Sequence, residues 1–211
     1  MLRQFTFHRC IVLGLLMIVL WSPLSGLTVT EAQSREVPPP HLGYGIHIGP
    51  HTQVDPALVA QLRMDWVKLY DVGQIGLFPD KRILFRMDLP WPENWESFRA
   101  SVNQRAIELA ALGVDAIEVH NEPNLAVEWP HGPNAWEYTQ MLRVAYTQIK
   151  AANPSIIVVS GGLAPTITTG DRRAISDLDY TAEMLDNGAA QWFDAFGYHP
   201  YGYNAPPETE P

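Results

Sequence analysis

The chain has 211 residues, a formal net charge of −9 and 46% hydrophobic residues. That length supports one sizeable hydrophobic core. An acidic balance of 23 Asp and Glu against 14 Lys and Arg argues against a non-specific binder of phosphate backbones, which needs a basic surface.

Arg3 and Arg9 precede the apolar run Ile11 to Leu20, which Pro23 and Ser25 break. Residues 1–32 are predicted to be a secretory signal peptide, with an uncleaved anchor as the alternative. The run falls short of the ~20 apolar residues that a membrane span needs. The expected destination is therefore secreted or periplasmic. Cys10, the single cysteine, lies ahead of the run, so it does not fit a lipidation site and the mature domain would carry no disulfide. Residues 33–42, with Pro38-Pro39-Pro40, read as a stiff linker to a domain spanning 43–211.

From Gly43 onward short apolar strands alternate with amphipathic helices. Strand 1 is predicted over Gly43–Gly49. Asp55 and Pro56 open a helix whose apolar side is Leu58, Val59 and Leu62. Strand 2 covers Trp66–Asp71 and strand 3 covers Arg82–Asp88, with room between them only for a short or irregular helix. A long helix runs from Trp95 to Leu112 and Gly113 stops it. Strand 4 opens the stretch Ile117-Glu118-Val119-His120-Asn121-Glu122-Pro123-Asn124. Its period of two places Glu118, His120 and Glu122 on one face and the aliphatics on the other.

A helix then starts at Asn134, with Glu137 three residues on. Tyr138, Leu142, Ala145 and Ile149 form its apolar stripe, and Asn153-Pro154 ends it. Strand 5 is Ile156–Gly162, a further helix spans 178–187, and strand 6 is Phe193–Tyr201. Strict alternation of strands and helices implies a parallel sheet with helices outside. The glycines of Gly43-Tyr44-Gly45 lie within a strand, which weighs against a dinucleotide-binding turn. Polar residues stand at six consecutive strand ends, among them His47, Lys68, Asn121, Glu122, His199 and Tyr201. That is the layout of a (β/α)8 TIM-type barrel, whose chemistry sits at the C-terminal ends of its strands. Such a barrel usually takes ~250 residues. Six strands end at Tyr201, so the expectation is a barrel truncated after strand 6.

Glu122, between Asn121 and the turn-forming Pro123, suits general acid/base work at a strand end. At these residues the chain resembles the clan A glycoside hydrolases, in particular their cellulase-like and family 39-like (β/α)8 members. The resemblance rests on Ile117–Asn124 and on Phe193-Asp194-Ala195-Phe196-Gly197-Tyr198-His199-Pro200-Tyr201, and extends over about Gly43 to Tyr203. It implies hydrolysis of O-glycosidic bonds in oligo- or polysaccharides by a retaining mechanism. Glu122 would be the acid/base, Asn121 would contact the sugar 2-hydroxyl, and His199 and Tyr201 would line the sugar site beside the scissile bond. Three departures stand out. His120 occupies a position that is commonly Trp, and Lys68 one that is commonly Arg. The nucleophile, a Glu on strand 7 in the family, has no counterpart, so the chain is expected to be inactive alone.

Trp129 is the best candidate for stacking on a sugar ring, ahead of Trp91 and Trp136. Arg86 and Asp88 are expected to form an ion pair. Acid/base plus nucleophile chemistry calls for no cofactor and no metal, and the expected partner is a carbohydrate. Two other readings compete. His47, His120, Glu122 and His199 would make a metal-dependent barrel hydrolase if they converged on one ion. A sugar-binding barrel without catalysis would keep the pocket alone.

Overall fold

The structure is a computed structural model and describes residues 42–129 and 131–201. The expected signal peptide (1–32), all but the last residue of the linker (33–42) and the chain after Tyr201 lie outside them. Five short strands form one parallel sheet in sequential order: β1 (Gly45–His47), β2 (Trp66–Leu69), β3 (Arg82–Met87), β4 (Ala116–Val119) and β5 (Ile157–Ser160). The helices are α1 (Pro56–Gln61), α2 (Trp95–Ala111), α3 (Ala135–Ala152) and α4 (Asp177–Asp186). None of the described helices is long and apolar enough to cross a membrane.

Local chemistry accounts for most helix boundaries. Asp55 Oδ1 accepts from the Ala57 N–H at 2.9 Å, and Pro56 fills the first helical position. Between β2 and β3 a 3-10 turn (Val72–Leu77) takes the place of a full helix. Asp71, expected inside strand 2, caps that turn by accepting from Gly73 N–H at 2.8 Å. Asn94 caps α2 and Asn134 caps α3, each through its side-chain oxygen. Gly113 and Gly188 follow α2 and α4 with φ of 78° and 80°, where an L side chain is strained.

Period two governs the sheet. Val67, Leu69, Ile83, Phe85, Met87, Ile117, Val119 and Val158 are all buried in the hydrophobic core. With them pack Phe98, Val102, Ala106 and Leu109 of α2 and Tyr138, Leu142, Ala145 and Ile149 of α3. The alternate residues form the other, inner face. There Gly45, Trp66, Leu84, Ala116, Ile157 and Val159 line a cavity of about 350 Å³. One cavity touched by all five strands and by Ala195 requires the sheet to curl, as a barrel wall does.

Two expectations need correction. Of the apolar side expected for α1, only Val59 is buried; Leu58 and Leu62 are exposed, because a helix of six residues covers little of the sheet. Strand 6 is not a continuous strand. Residues 193–201 run parallel to β5 but pair with it through isolated bridges, Val159 with Ala195 and Leu163 with Tyr198. Side-chain contacts interrupt the ladder: Asp194 Oδ2 accepts from Val158 N–H at 2.7 Å, and Ser160 Oγ accepts from Gly197 N–H at 2.9 Å. The described residues form an open, curled, parallel α/β sheet of five strands.

Candidate active site

The site begins where β4 ends. The buried Tyr138 hydroxyl donates to Val119 O at 2.9 Å and itself accepts from Gly161 N–H at 2.6 Å. Those bonds tie the ends of β4 and β5 to α3, and burial pushes the Tyr138 phenol pKa well up. Beyond Val119 the alternation breaks. His120 has φ 72° and Glu122 has φ 35°, both in the left-handed region that non-glycine residues seldom occupy. Such strain is retained where surrounding contacts over-determine the backbone. Here the contacts are His120 N–H to Met87 O at 3.0 Å, Glu122 N–H to Gly162 O at 3.0 Å, and Leu125 N–H to Glu122 O at 3.0 Å.

The break divides the three ionisable residues that strict alternation put on one face. Glu118 points to the inner face and is 3% exposed. His120 turns away: its ring lies flat against Trp129, centroids 5.0 Å apart and planes 9° apart. Its Nδ1 accepts from Asn121 N–H at 2.7 Å. Glu122 comes back to the inner side, with its side chain 18% exposed. Pro123 and Asn124 close the turn. Asn124 is fully buried, donates to the carbonyls of Ala164 and Ile175 at 2.8 and 2.9 Å, and accepts from Ala164 N–H at 3.0 Å. It is a brace that holds the chain after β5 against the Glu122 turn.

His199 bridges the two carboxylates. Its Nδ1 lies 2.9 Å from Glu122 Oε1, and its Nε2 lies 3.8 Å from Glu118 Oε1. The ring fits because residue 162 is glycine: a Cβ there would collide with the imidazole. Glu118 is also ion-paired with Lys68 Nζ and accepts from Gly162 N–H at 3.1 Å. Burial alone would raise the Glu118 pKa, but His199, Lys68 and the Gly162 N–H outweigh it and hold the carboxyl below its ordinary value. Glu118 in turn raises the pKa of His199 above 6.5; burial opposes this and Glu122 adds to it.

Around this line sits a second set of groups. Asn121 Oδ1 accepts from Arg86 at 2.8 Å, and Asn121 Nδ2 donates to Glu128 at 2.7 Å. Arg86 also pairs with Asp88 at 3.0 Å, as expected, although Asp88 faces solvent more than the barrel interior. The Arg86 guanidinium lies 4.3 Å from the centre of the Tyr70 ring, and His47 packs against the same ring at 5.0 Å. Burial pushes the Tyr70 phenol up to about 12 even though Arg86 draws it down. Tyr201 is 54% exposed and lies 5.3 Å from His199, ring to ring.

Of the expected site residues, Glu122, Asn121, His199, Tyr201, Lys68 and His47 are thus linked through direct contacts or shared neighbours. Two are placed otherwise. Trp129 is 1% exposed, packed edge-on by Trp91 at 4.7 Å and covered by His120, so neither face is open to a sugar. His120, its stacking partner, is buried with it. Trp136, the weaker stacking candidate, is 55% exposed. His47, His120, Glu122 and His199 do not converge, and the described residues hold no group of three or more His, Cys, Asp or Glu arranged to bind a metal ion. Glu118 and Tyr70 are the residues that motif reading passes over. For Glu118 the signal was present: a carboxylate two residues inside a buried strand needs a partner, and Lys68 shares its face.

No protein-family model matches the chain, and no curated protein sequence matches it. Among solved structures it is similar to a family 39 glycoside hydrolase from the gut symbiont Bacteroides cellulosilyticus WH2, at 17% identity and a TM-score of 0.55, over 76% of this chain and 38% of that one. It is also similar to the GH53 catalytic domain of Ignisphaera aggregans, at 15% identity and a TM-score of 0.47, over 69% and 52% of the two chains. The carboxyl transferase domain of Rhizobium etli pyruvate carboxylase follows at 12% identity and a TM-score of 0.45, over 67% and 22%. The chain spans about two fifths of the length of the first of these structures. At these identities the likeness is one of fold, that of a parallel α/β protein of the TIM-barrel type.

Proposed function

We propose that the chain carries the proton-donor half of a retaining glycoside hydrolase site and the walls of its sugar pocket. The observation that carries this reading is the Glu122 carboxyl, partly open at the C-terminal end of β4 and 2.9 Å from His199 Nδ1. A proton donor to a glycosidic oxygen must be accessible and held in a fixed orientation. Glu122 meets each requirement. The resemblance of Ile117–Asn124 and Phe193–Tyr201 to clan A glycoside hydrolases supports the same assignment, as does the fold likeness to a family 39 enzyme. Tyr201 offers an exposed ring beside the site for a sugar face, and Asn121 offers an amide fixed by Arg86 and Glu128.

Retention needs a second carboxylate ~5–5.5 Å away as nucleophile. Glu118 does not fill that role. It is buried, and its oxygens are engaged by Lys68 and by Gly162 N–H. The nucleophile would come from outside residues 42–201. The substrate would be an oligo- or polysaccharide, and the protein would act outside the cytoplasm.

The test uses the purified 211-residue protein with cello- and xylo-oligosaccharides and p-nitrophenyl glycosides. Saccharide binding should perturb the His199 and Tyr201 NMR signals and should weaken in Tyr201→Ala, while glycoside turnover stays at background. If no saccharide shifts these signals, the sugar-site reading fails. Turnover that disappears in Glu122→Gln would show instead that the nucleophile lies within this chain.

A further inference from the structure

Glu118 has no part in the reading above, yet it is the most heavily committed side chain on the inner face. Lys68 and the Gly162 N–H hold it as an anion, and its Oε1, the oxygen that accepts from Gly162, lies 3.8 Å from His199 Nε2. Which nitrogen of a neutral imidazole carries the proton depends on what each nitrogen meets. Here Nε2 faces the buried, lysine-paired Glu118 and Nδ1 faces the partly exposed Glu122.

We propose that Glu118 is a positioning residue that holds neutral His199 in its Nε2–H form, so that Nδ1 is left to accept the O–H of protonated Glu122 and to hold that acid in place. This rests on Glu122 being the proton donor. The bookkeeping is simple. With Glu122 protonated, its O–H donates to the Nδ1 lone pair of neutral His199. When Glu122 has given its proton to a leaving oxygen, its carboxylate regains one from the water that attacks in the second step, so one water O–H bond breaks, one carboxyl O–H bond forms, and His199 keeps its single proton on Nε2. Glu118 keeps its charge throughout, because Lys68 stays beside it.

A lone histidine beside Glu122 could present either nitrogen, and its Nδ1–H form would turn a donor toward a protonated carboxyl that itself needs an acceptor. Glu118 removes that choice from a buried position that substrate does not reach. The other ionisable groups around His199 are Lys68 from β2, His47 from β1 and Tyr201 from its own segment. Lys68 disfavours protonation of the ring, whereas Glu118 and Glu122 favour it.

The experiment is a pH titration of the histidine rings by long-range 1H–15N NMR on the 211-residue protein without sugar. The wild-type protein should show neutral His199 as the Nε2–H tautomer, with a pKa above 6.5. In Glu118→Gln that pKa should fall by about one unit or more. In the charge-balanced double variant Lys68→Met/Glu118→Leu the tautomer preference should be lost as well. Glu122→Gln should leave the Nε2–H tautomer in place. Neutral wild-type His199 protonated on Nδ1 would overturn the proposal whether or not the variants fold. A titration of His199 unchanged in folded Glu118→Gln would overturn it too. Because no saccharide is present, the outcome is separate from whether the protein binds or cleaves glycosides.

Discussion

The two faces of the same five strands are held by opposite means. The outer face is aliphatic and aromatic, sealed by α2 and α3. Its stability is a sum of many contacts, none of which needs a particular partner. The inner side joins Lys68 with Glu118, Arg86 with Asn121, and His199 with Glu122. Each depends on one or two named neighbours, and its removal strands the other. An apolar face tolerates approximate shape, whereas a charged face inside a curled sheet must be correct in detail, and that is the face that can do chemistry.

The sharpest way to break this comparison is Lys68→Met. It leaves the buried Glu118 carboxylate without its cation and should cost about 3–5 kcal/mol. The double variant Lys68→Met/Glu118→Leu should regain most of that loss, because an apolar pair replaces an ionic one. Urea unfolding midpoints of the three proteins give the answer. On the outer face Ile117→Ala should cost about 2–5 kcal/mol by leaving a cavity. No second polar-to-apolar change should rescue it. If both faces respond alike in such cycles, the distinction drawn here does not hold.

Asn124→Ala should cost about 1–3 kcal/mol, since the carbonyls of Ala164 and Ile175 lose their buried donor. The same variant should loosen the turn at Glu122, readable as faster amide exchange at Leu125 and Ala164. Asn134→Ala, which removes only the cap of α3, should cost about 1 kcal/mol and leave His199 unchanged.

The inner face should also write itself into the pH dependence of stability, with two limbs of opposite sign. Glu118 has a folded pKa below its ordinary 4.5, so its contribution is full above that value and is lost as pH falls through the lowered one. His199 has a folded pKa above 6.5, so its contribution is full below 6.5 and is lost as pH rises through the raised one. Stability from this cluster should therefore peak in the mildly acidic range. Glu118→Gln should flatten the acid limb and His199→Asn the other, as unfolding midpoints across pH will show.

Much of the architecture was legible in the chain because its causes are local. Asp55-Pro56 and Asn134 stand where helices begin, and the aliphatic residues of β3 and β4 repeat with the period of a strand. Alternation placed Ile117, Glu118 and Val119 correctly. It failed one residue later, because His120 and Glu122 adopt left-handed backbone that a period-two count does not foresee. The same count suggested a sixth strand; Asp194 and Ser160 instead divert the ladder with their side chains. Trp129 read as an open platform because a loop tryptophan near a strand end is a fair place for one. Its stacking with His120 and its packing against Trp91 were fixed by how the loop folds back, which spacing does not encode.

The sequence by itself determined the alternation of strands and helices, the apolar outer face and the presence of a carboxyl at the end of β4, since each follows from neighbours within a few residues. Only the tertiary structure decided what that carboxyl meets. Glu122 and His199 are 77 residues apart in the chain, and Lys68 reaches Glu118 across the intervening β3. Such meetings depend on strand register and on the curl of the sheet, and these are properties of the packed core as a whole, not of any one segment.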